Sequence, residues 1–136
     1  MCKLLTVVIP VFKVEKYLRK CLDSLILNEK MDSLEVLVVN DGSPDGSSAI
    51  AHEYEQQYPQ TFIVIDKENG GHGSAWNRGL AEATGKYVAF LDSDDWYSSD
   101  KLAELLCYLE SCEVDGVMTK MMTHIYENDV EIRTNI

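Results

Sequence analysis

Hydrophobic residues follow one another along this chain in short continuous runs, and the stretches between the runs carry apolar residues at helical intervals. The runs cover 4–9, 35–39, 62–65 and 87–91, with a weaker one at 116–119. A strand that is apolar at consecutive positions is typical of a sheet covered on both faces. The runs therefore predict buried, mostly parallel strands.

Four helices are predicted between and after these strands, because apolar residues recur there every three or four positions. The apolar stripes consist of Val14, Leu18, Leu22, Leu25 and Ile26; of Ile50, Tyr54 and Tyr58; of Trp76, Leu80 and Ala83; and of Leu102, Leu105, Leu106 and Leu109. The third helix is expected to start near Ser74 and to end at a Gly85 cap, and the fourth to start at Ser98 or Ser99. The repeated order of strand, helix and strand predicts an α/β fold with a doubly wound, mostly parallel sheet and helices on both faces.

Length and charge narrow the class of protein. The 136 residues suffice for one domain with its own core, and 12 basic against 23 acidic residues give a formal net charge of −11. This acidity argues against nucleic acid or an anionic membrane surface as a partner, because both are bound through clustered Lys and Arg. No apolar stretch approaches the roughly 20 residues that span a bilayer, and no signal peptide is recognisable, so we expect a cytoplasmic protein.

Three acidic residues, Asp92, Asp94 and Asp95, follow the fourth predicted strand with Ser93 between them. Carboxylates about 4 Å apart repel each other by about 4 kcal/mol at an effective dielectric constant of 20, so the cluster is suited to a divalent cation. In extended backbone Asp92 and Asp94 point the same way, and their hard oxygen atoms favour Mg²⁺ or Mn²⁺. The alternative is a simple turn before the fourth helix.

Asp41 ends the second predicted strand, within the segment Asp-Gly-Ser-Pro-Asp-Gly. Ligands of open α/β sheets bind outside the carboxyl ends of the strands, so Asp41 is a candidate for accepting the imide N–H of a uracil ring. Gly42 and Ser43 would let the backbone approach a nucleoside closely. The same residues are ordinary turn and helix-start residues, and the sequence alone leaves both interpretations open.

A glycine-rich segment at 68–74 leads into the third predicted helix. Its backbone amides and the positive end of the helix are suited to an anion. It has neither the spacing of the dinucleotide fingerprint nor that of a Walker loop. His72 in this segment is either a surface residue or a ligand, and Trp76 is either a core residue or a stacking platform.

Taken together, four segments resemble the nucleotide-sugar-binding half of family 2 glycosyltransferases, which have the GT-A fold. The segments are 6–18, 35–47, 67–80 and 85–95, in the order of that family. They contain its Asn-Asp-Gly-Ser and Asp-Ser-Asp motifs. The resemblance implies a Rossmann-like nucleotide-binding half, and it covers most of the residues from 4 to 98.

The resemblance also implies a role for each matched position. The nucleoside pocket is implied to be lined by Pro10, Val11, Phe12 and Glu15, with Asp41 bonded to the base. The diphosphate is implied to lie along 69–77, which includes Asn69, Gly71, His72 and Asn77. Asp92, Ser93 and Asp94 match the D-x-D element, with Asp94 as the direct metal ligand and Asp92 near the ribose and the metal. Trp76 stands where many members have Arg.

The chemistry that the resemblance implies is sugar transfer with inversion, from a nucleotide-diphosphate donor to a hydroxyl of a saccharide or other acceptor. The donor is expected to be a UDP-sugar and the cofactor Mn²⁺ or Mg²⁺. The resemblance implies a catalytic base well beyond the D-x-D element, in an acceptor-binding half, and the later acids Asp115, Glu127, Asp129 and Glu131 match no base motif.

We therefore expect residues 1–136 to form a single nucleotide-sugar-binding domain, truncated before the acceptor-binding half. Contact with the inner face of a membrane would come through missing C-terminal parts, and a homo-oligomer is compatible with the sequence. The alternative function is a non-catalytic nucleotide-binding interaction module.

Overall fold

A computed structural model describes residues 3–111, 122–127 and 130–135. Strands and helices alternate through the first 111 residues, and two further strands follow. The elements are β1 (Leu5–Val11), α1 (Glu15–Asp23), a 3₁₀ turn (Met31–Ser33), β2 (Leu34–Asp41), α2 (Ser47–Gln57), β3 (Phe62–Lys67), α3 (His72–Glu82), β4 (Tyr87–Phe90), α4 (Ser99–Ser111), β5 (Met122–Glu127) and β6 (Val130–Asn135).

The first four strands form one parallel sheet in the order β3-β2-β1-β4. At its centre Val7 is in register with Val36 of β2 on one side and with Ala89 of β4 on the other. Since every strand is parallel, the carboxyl ends of β1, β2, β3 and β4 all meet at one edge of the sheet. The strands predicted at 4–9, 35–39, 62–65 and 87–91 and the doubly wound α/β fold are thereby confirmed.

Helices cover both faces of this sheet, because alternate strand residues point to opposite sides. Val7 and Ile9 belong to a large buried cluster that also contains residues of α1, α2 and α4. Val8 and Val39 point the other way and are buried against Ala75 of α3. Such double coverage explains why the strands are apolar at consecutive positions.

Helix α3 packs unusually close to the sheet, and its boundaries differ from the predicted ones. It begins at His72, two residues before Ser74, and a Cβ at its Gly79 would overlap the side chain of Val8. It ends at Glu82, and the next residue is extended, so the predicted Gly85 cap is wrong.

Gly85 is needed for packing instead of capping. Its N–H donates to Thr6 Oγ1 at 2.9 Å, and a Cβ there would lie 2.6 Å from the same oxygen. Thr6 in turn donates to the buried carboxylate of Glu35 at 2.8 Å, which also accepts the N–H and hydroxyl of Thr84. This polar cluster fixes the turn between α3 and β4.

Two other boundaries were only partly predicted. Helix α1 ends at Asp23, so Leu25 and Ile26 follow it, although Leu25 is fully buried. Strands β5 and β6 form an antiparallel pair in a region where the sequence shows no clear pattern. The predicted strand at 116–119 lies outside the described residues.

None of the helices in the described ranges combines the length and apolar character needed to cross a bilayer.

Candidate functional site

A cavity of about 430 Å³ opens at the carboxyl edge of the sheet, between the loops that follow β1, β2 and β3. It is lined by Pro10, Val11, Phe12, Asp41, Asn69, Gly71, His72 and Ala75. All of these except Ala75 were singled out from the sequence. The fold therefore brings the three sequence segments together at one site.

Asp41 is held at the wall of this cavity by three hydrogen-bond donors. Lys67 Nζ and the Gly70 N–H donate to Oδ1 at 2.8 and 2.9 Å, and the Gly71 N–H donates to Oδ2 at 3.0 Å. Burial alone would raise the pKa of Asp41, but these donors and the charge of Lys67 outweigh it and hold the pKa below its ordinary value. Asp41 is therefore a carboxylate at neutral pH.

Asp41 also joins the turn after β2 to the glycine-rich segment. The Asn69 side-chain amide donates to the Asp41 carbonyl at 3.0 Å. Gly42 has φ of +72°, and a Cβ there would lie 2.9 Å from the Asn69 backbone nitrogen. Gly42 thus allows the close approach of Asn69, a contact between two loops, and its approach to a nucleoside stays a prediction.

Ser43 fixes the turn that carries Phe12. Its hydroxyl accepts the Lys13 N–H at 3.0 Å and donates to the Val11 carbonyl at 3.4 Å, so it bridges the residues on either side of Phe12. Lys13 has φ of +54°, a left-handed conformation that is uncommon for a residue with a side chain. Ser43 therefore supports the turn without lining the cavity, whereas the exposed Phe12 does line it.

The acidic cluster consists of Asp92, Asp94 and Asp95, directly after β4. Each contributes a carboxylate oxygen, and these atoms all lie within 4.8 Å of one another. The backbone forms a turn, with the Asp95 N–H donating to the Asp92 carbonyl at 3.0 Å, so the expected extended geometry is wrong although the carboxylates do converge. Burial and the charges of Asp94 and Asp92 raise the pKa of Asp95. Ser93 is buried within the turn.

His72 connects the cavity to the acidic cluster. Its Nε2 lies 3.6 Å from Asp92 Oδ1, and its ring packs on Trp76 with 4.7 Å between centroids. Trp76 also packs on Phe90, at 5.0 Å, and on the smaller apolar cluster under α3. Within the described residues its indole nitrogen is buried without a hydrogen-bond partner. Trp76 is therefore a packing residue that supports His72.

Outside the acidic cluster, four predicted residues do not line the cavity: Glu15, Gly42, Ser43 and Asn77. The Glu15 side chain lies against Gly46, since a Cβ there would be 2.6 Å from Glu15 Oε1, and Asn77 is exposed on α3.

Sequence reasoning missed Lys67, the cation that pairs with Asp41. The available signal was register, because Lys67 and Asp41 are partners at the ends of adjacent parallel strands.

Residues 6–135 match the family described as glycosyl transferase family 2. The chain belongs to this family. Among its relatives in family 2 are the glycosyltransferase GlyA of Streptococcus pneumoniae, 45% identical over 101 residues, and the putative glycosyltransferase EpsH of Bacillus subtilis, 43% identical over 101 residues. These matches cover 74% of this chain, but only 14% of GlyA and 29% of EpsH. The chain thus spans less than a third of either relative.

Solved structures resemble this family 2 chain over most of its length. The Staphylococcus aureus protein TarS, in residues 1–349 with UDP, is 28% identical with a TM-score of 0.70 over 79% of this chain and 32% of its own. The mannosyltransferase PcManGT of Pyrobaculum calidifontis, with GDP-Man and Mn²⁺, is 26% identical with a TM-score of 0.69 over 80% of this chain and 33% of its own. These likenesses confirm the expected GT-A fold.

Proposed function

We propose that this chain forms the donor-binding part of a glycosyltransferase that takes a UDP-sugar and a divalent cation. The observation that carries the proposal is the position of an ionised Asp41 in a cavity whose His72 reaches the acidic cluster after β4. The nucleobase of the donor would lie in the cavity, and its diphosphate would lie between the glycine-rich segment and the acidic cluster. TarS, a similar protein, has been solved with UDP and with UDP-GlcNAc.

The choice of uracil rests on the acceptor capacity of Asp41. An ionised carboxylate has about four acceptor positions. Two donors occupy Oδ1 and one occupies Oδ2, which leaves one position on Oδ2 for the imide N–H of a base. Cytosine has a lone pair in place of this N–H, so the carboxylate would repel it. Guanine also has such an N–H, and GDP is therefore the informative competitor.

The acidic cluster fits a divalent cation. Opposite ligands of one Mg²⁺ lie about 4.2 Å apart, twice the usual metal–oxygen distance, and the three carboxylate oxygens of the cluster lie within 4.8 Å of one another. Burial and, after it, the charges of Asp94 and Asp92 raise the pKa of Asp95, so part of this shift comes from repulsion that a bound cation would offset. Asp92 and Asp94 would hold the ion, and when bound it would offset the charge of the leaving diphosphate.

The residues of this chain bind and orient the donor. Asp41 would bind the nucleobase of the donor. The hydrogen bonds of Asp41 with the Asn69 side chain and with the backbone N–H groups of Gly70 and Gly71 would keep the glycine-rich segment beside the diphosphate. We propose transfer with inversion by direct displacement at the anomeric carbon, onto a hydroxyl of a saccharide or other acceptor. NMR coupling at the anomeric proton of the product tests that stereochemistry.

Calorimetry with UDP, in the presence and absence of Mn²⁺ or Mg²⁺, tests donor binding. We expect binding to need the cation and the Asp94→Asn variant to bind at least about ten-fold more weakly, since even outer partners of a metal site contribute that much. Asp100→Asn is the matched control, because it removes an exposed acid of α4 outside the cluster. Equal binding without a cation, or stronger binding of GDP, would contradict the proposal.

A further inference from the structure

A second polar network lies behind the cavity, at the outer side of β3. Asp66 is its centre: Oδ1 accepts the Asn40 side-chain amide at 2.9 Å and the Ser48 hydroxyl at 3.2 Å, and Oδ2 lies 2.8 Å from His52 Nε2. Asn40 is buried, whereas Asp66 and His52 are partly open to solvent. The network therefore connects a solvent-accessible histidine with a buried amide beside Asp41.

Both ring nitrogens of His52 face carboxylate oxygens. Besides the Asp66 contact of Nε2, Nδ1 lies 3.1 Å from Oε1 of Glu55 on the same helix, and Oε2 of Glu55 accepts the Val64 N–H. A neutral imidazole donates from only one nitrogen, so both contacts are hydrogen bonds only in the protonated ring. The hydrogen bond to Asp66, followed by that to Glu55, raises the pKa of His52 although burial opposes it. These two carboxylates are the charged groups that face the ring from α2 and β3.

The network reaches the cavity wall through Asn40. Because the Asn40 nitrogen donates to Asp66, its oxygen is left to accept the Ser43 N–H, at 3.1 Å. Ser43 in turn bridges the two residues on either side of Phe12. Hence a continuous chain of hydrogen bonds runs from His52 to the turn that carries an aromatic ring of the cavity.

We propose that Asp66 and His52 are positioning residues for the donor site, and that loss of the His52 proton weakens nucleotide binding. Deprotonation removes one of the two hydrogen bonds of the ring together with the positive charge that faces Asp66, so Asp66 is held less firmly, and Asn40 and the Ser43 turn are loosened. This inference rests on the proposed function, since the affected ligand is the UDP-sugar bound in the cavity. The effect expected is about five-fold in affinity, the equivalent of one net hydrogen bond.

The test is the affinity for UDP-GlcNAc as a function of pH, measured by calorimetry at saturating Mn²⁺ from about pH 5.5 to about pH 8.5. This ligand is suitable because its diphosphate diester does not titrate in that range, unlike UDP. We expect affinity to fall as the pH rises through the raised pKa of His52. His52→Gln should show no such step and should bind as weakly as the wild type at high pH.

Two further variants separate positioning from folding. Asp66→Asn keeps an oxygen for Asn40 but loses the charge that faces His52, so it too should lose the pH step. Glu53→Gln is the control, because Glu53 lies next to His52 on α2 but pairs with Arg19 of α1 at an exposed position, so the variant should keep the wild-type profile. Thermal unfolding identifies any variant that is not folded.

The outcomes distinguish this inference from the proposed function. A wild-type chain that binds UDP-GlcNAc at no pH would overturn both. Wild-type binding with a pH step that persists unchanged in folded His52→Gln and Asp66→Asn variants would overturn the positioning role alone. Loss of the step in these two variants, and its retention in Glu53→Gln, supports the positioning role.

Discussion

The Lys67→Met substitution probes the ion pair on which the geometry of the cavity depends. Lys67 Nζ lies 2.8 Å from Asp41 Oδ1, and the two side chains are 13% and 4% exposed. Removing one partner of a fully buried pair costs about 3–5 kcal/mol, because it leaves an uncompensated charge. Asp41 would keep its two backbone donors, so we expect a loss of about 2 kcal/mol in the free energy of unfolding.

The assay is urea denaturation followed by circular dichroism, with Lys101→Met as the matched control. Lys101 also pairs with a carboxylate, Glu104 at 3.3 Å, but the two side chains are 77% and 70% exposed. Such an exposed pair contributes less than about 0.5 kcal/mol. Equal losses in the two variants would refute the view that Lys67 stabilises a buried charge.

The pH dependence of the Lys67→Met effect has a definite sign. The pKa of Asp41 is lowered in the folded protein, so its stabilisation is present above its unfolded pKa and is lost as the pH falls through the folded value. Without Lys67 this stabilisation shrinks. The difference between wild type and variant should therefore be largest near neutral pH and should narrow in acid. A difference that stays constant down to about pH 3 would contradict the assigned cause.

Four other substitutions test the packing and the polar clusters. Gly79→Ala should lower the free energy of unfolding by about 1–3 kcal/mol, because its Cβ would overlap the side chain of Val8. Gly73→Ala, in open space on the same helix, should raise it by about 0.5 kcal/mol. Thermal unfolding compares the two variants, and equal shifts would contradict the close packing of α3. Glu35→Gln replaces an acceptor by a donor in a buried cluster and should cost about 1–3 kcal/mol in urea denaturation, with no loss refuting the role of its hydrogen bonds. His52→Gln should lower the free energy of unfolding more at pH 6 than at pH 8. The pKa of His52 is raised in the folded protein, so the stabilisation from its protonated ring is present below the pKa of the unfolded state and is lost as the pH rises through the folded value. A larger loss at pH 8 than at pH 6 in urea denaturation would contradict the assigned protonation.

The strands and the cavity were largely predictable because both follow from local patterns. Consecutive apolar residues such as Val7 and Val8 indicate a strand with two covered faces, and parallel strands must place Val11 and Asp41 at the same edge. The role of Asp41 was only partly predictable. Its donors Gly70 and Gly71 are about thirty positions away, and no local sequence pattern predicts the loop conformation that brings them to Asp41.

Other features depend on tertiary contacts with no local signature. Gly85 looks like a helix cap in the sequence, yet its lack of a side chain serves the contact with Thr6. The acidic cluster forms the turn before α4 that one interpretation of its sequence predicts, and it also brings three carboxylates together, while the cation itself stays a proposal. The pairing of β5 with β6 depends on register between strands, which charge alternation alone does not indicate.

A crystal structure of the chain grown with UDP and Mn²⁺ would show directly whether Asp41 binds the base of the donor. We expect the uracil ring in the cavity beside Phe12, with its imide N–H within hydrogen-bond distance of Asp41 Oδ2, and a cation bound by Asp92 and Asp94. Nucleotide density at any other site, or a base in the cavity whose N–H does not reach Asp41, would contradict it.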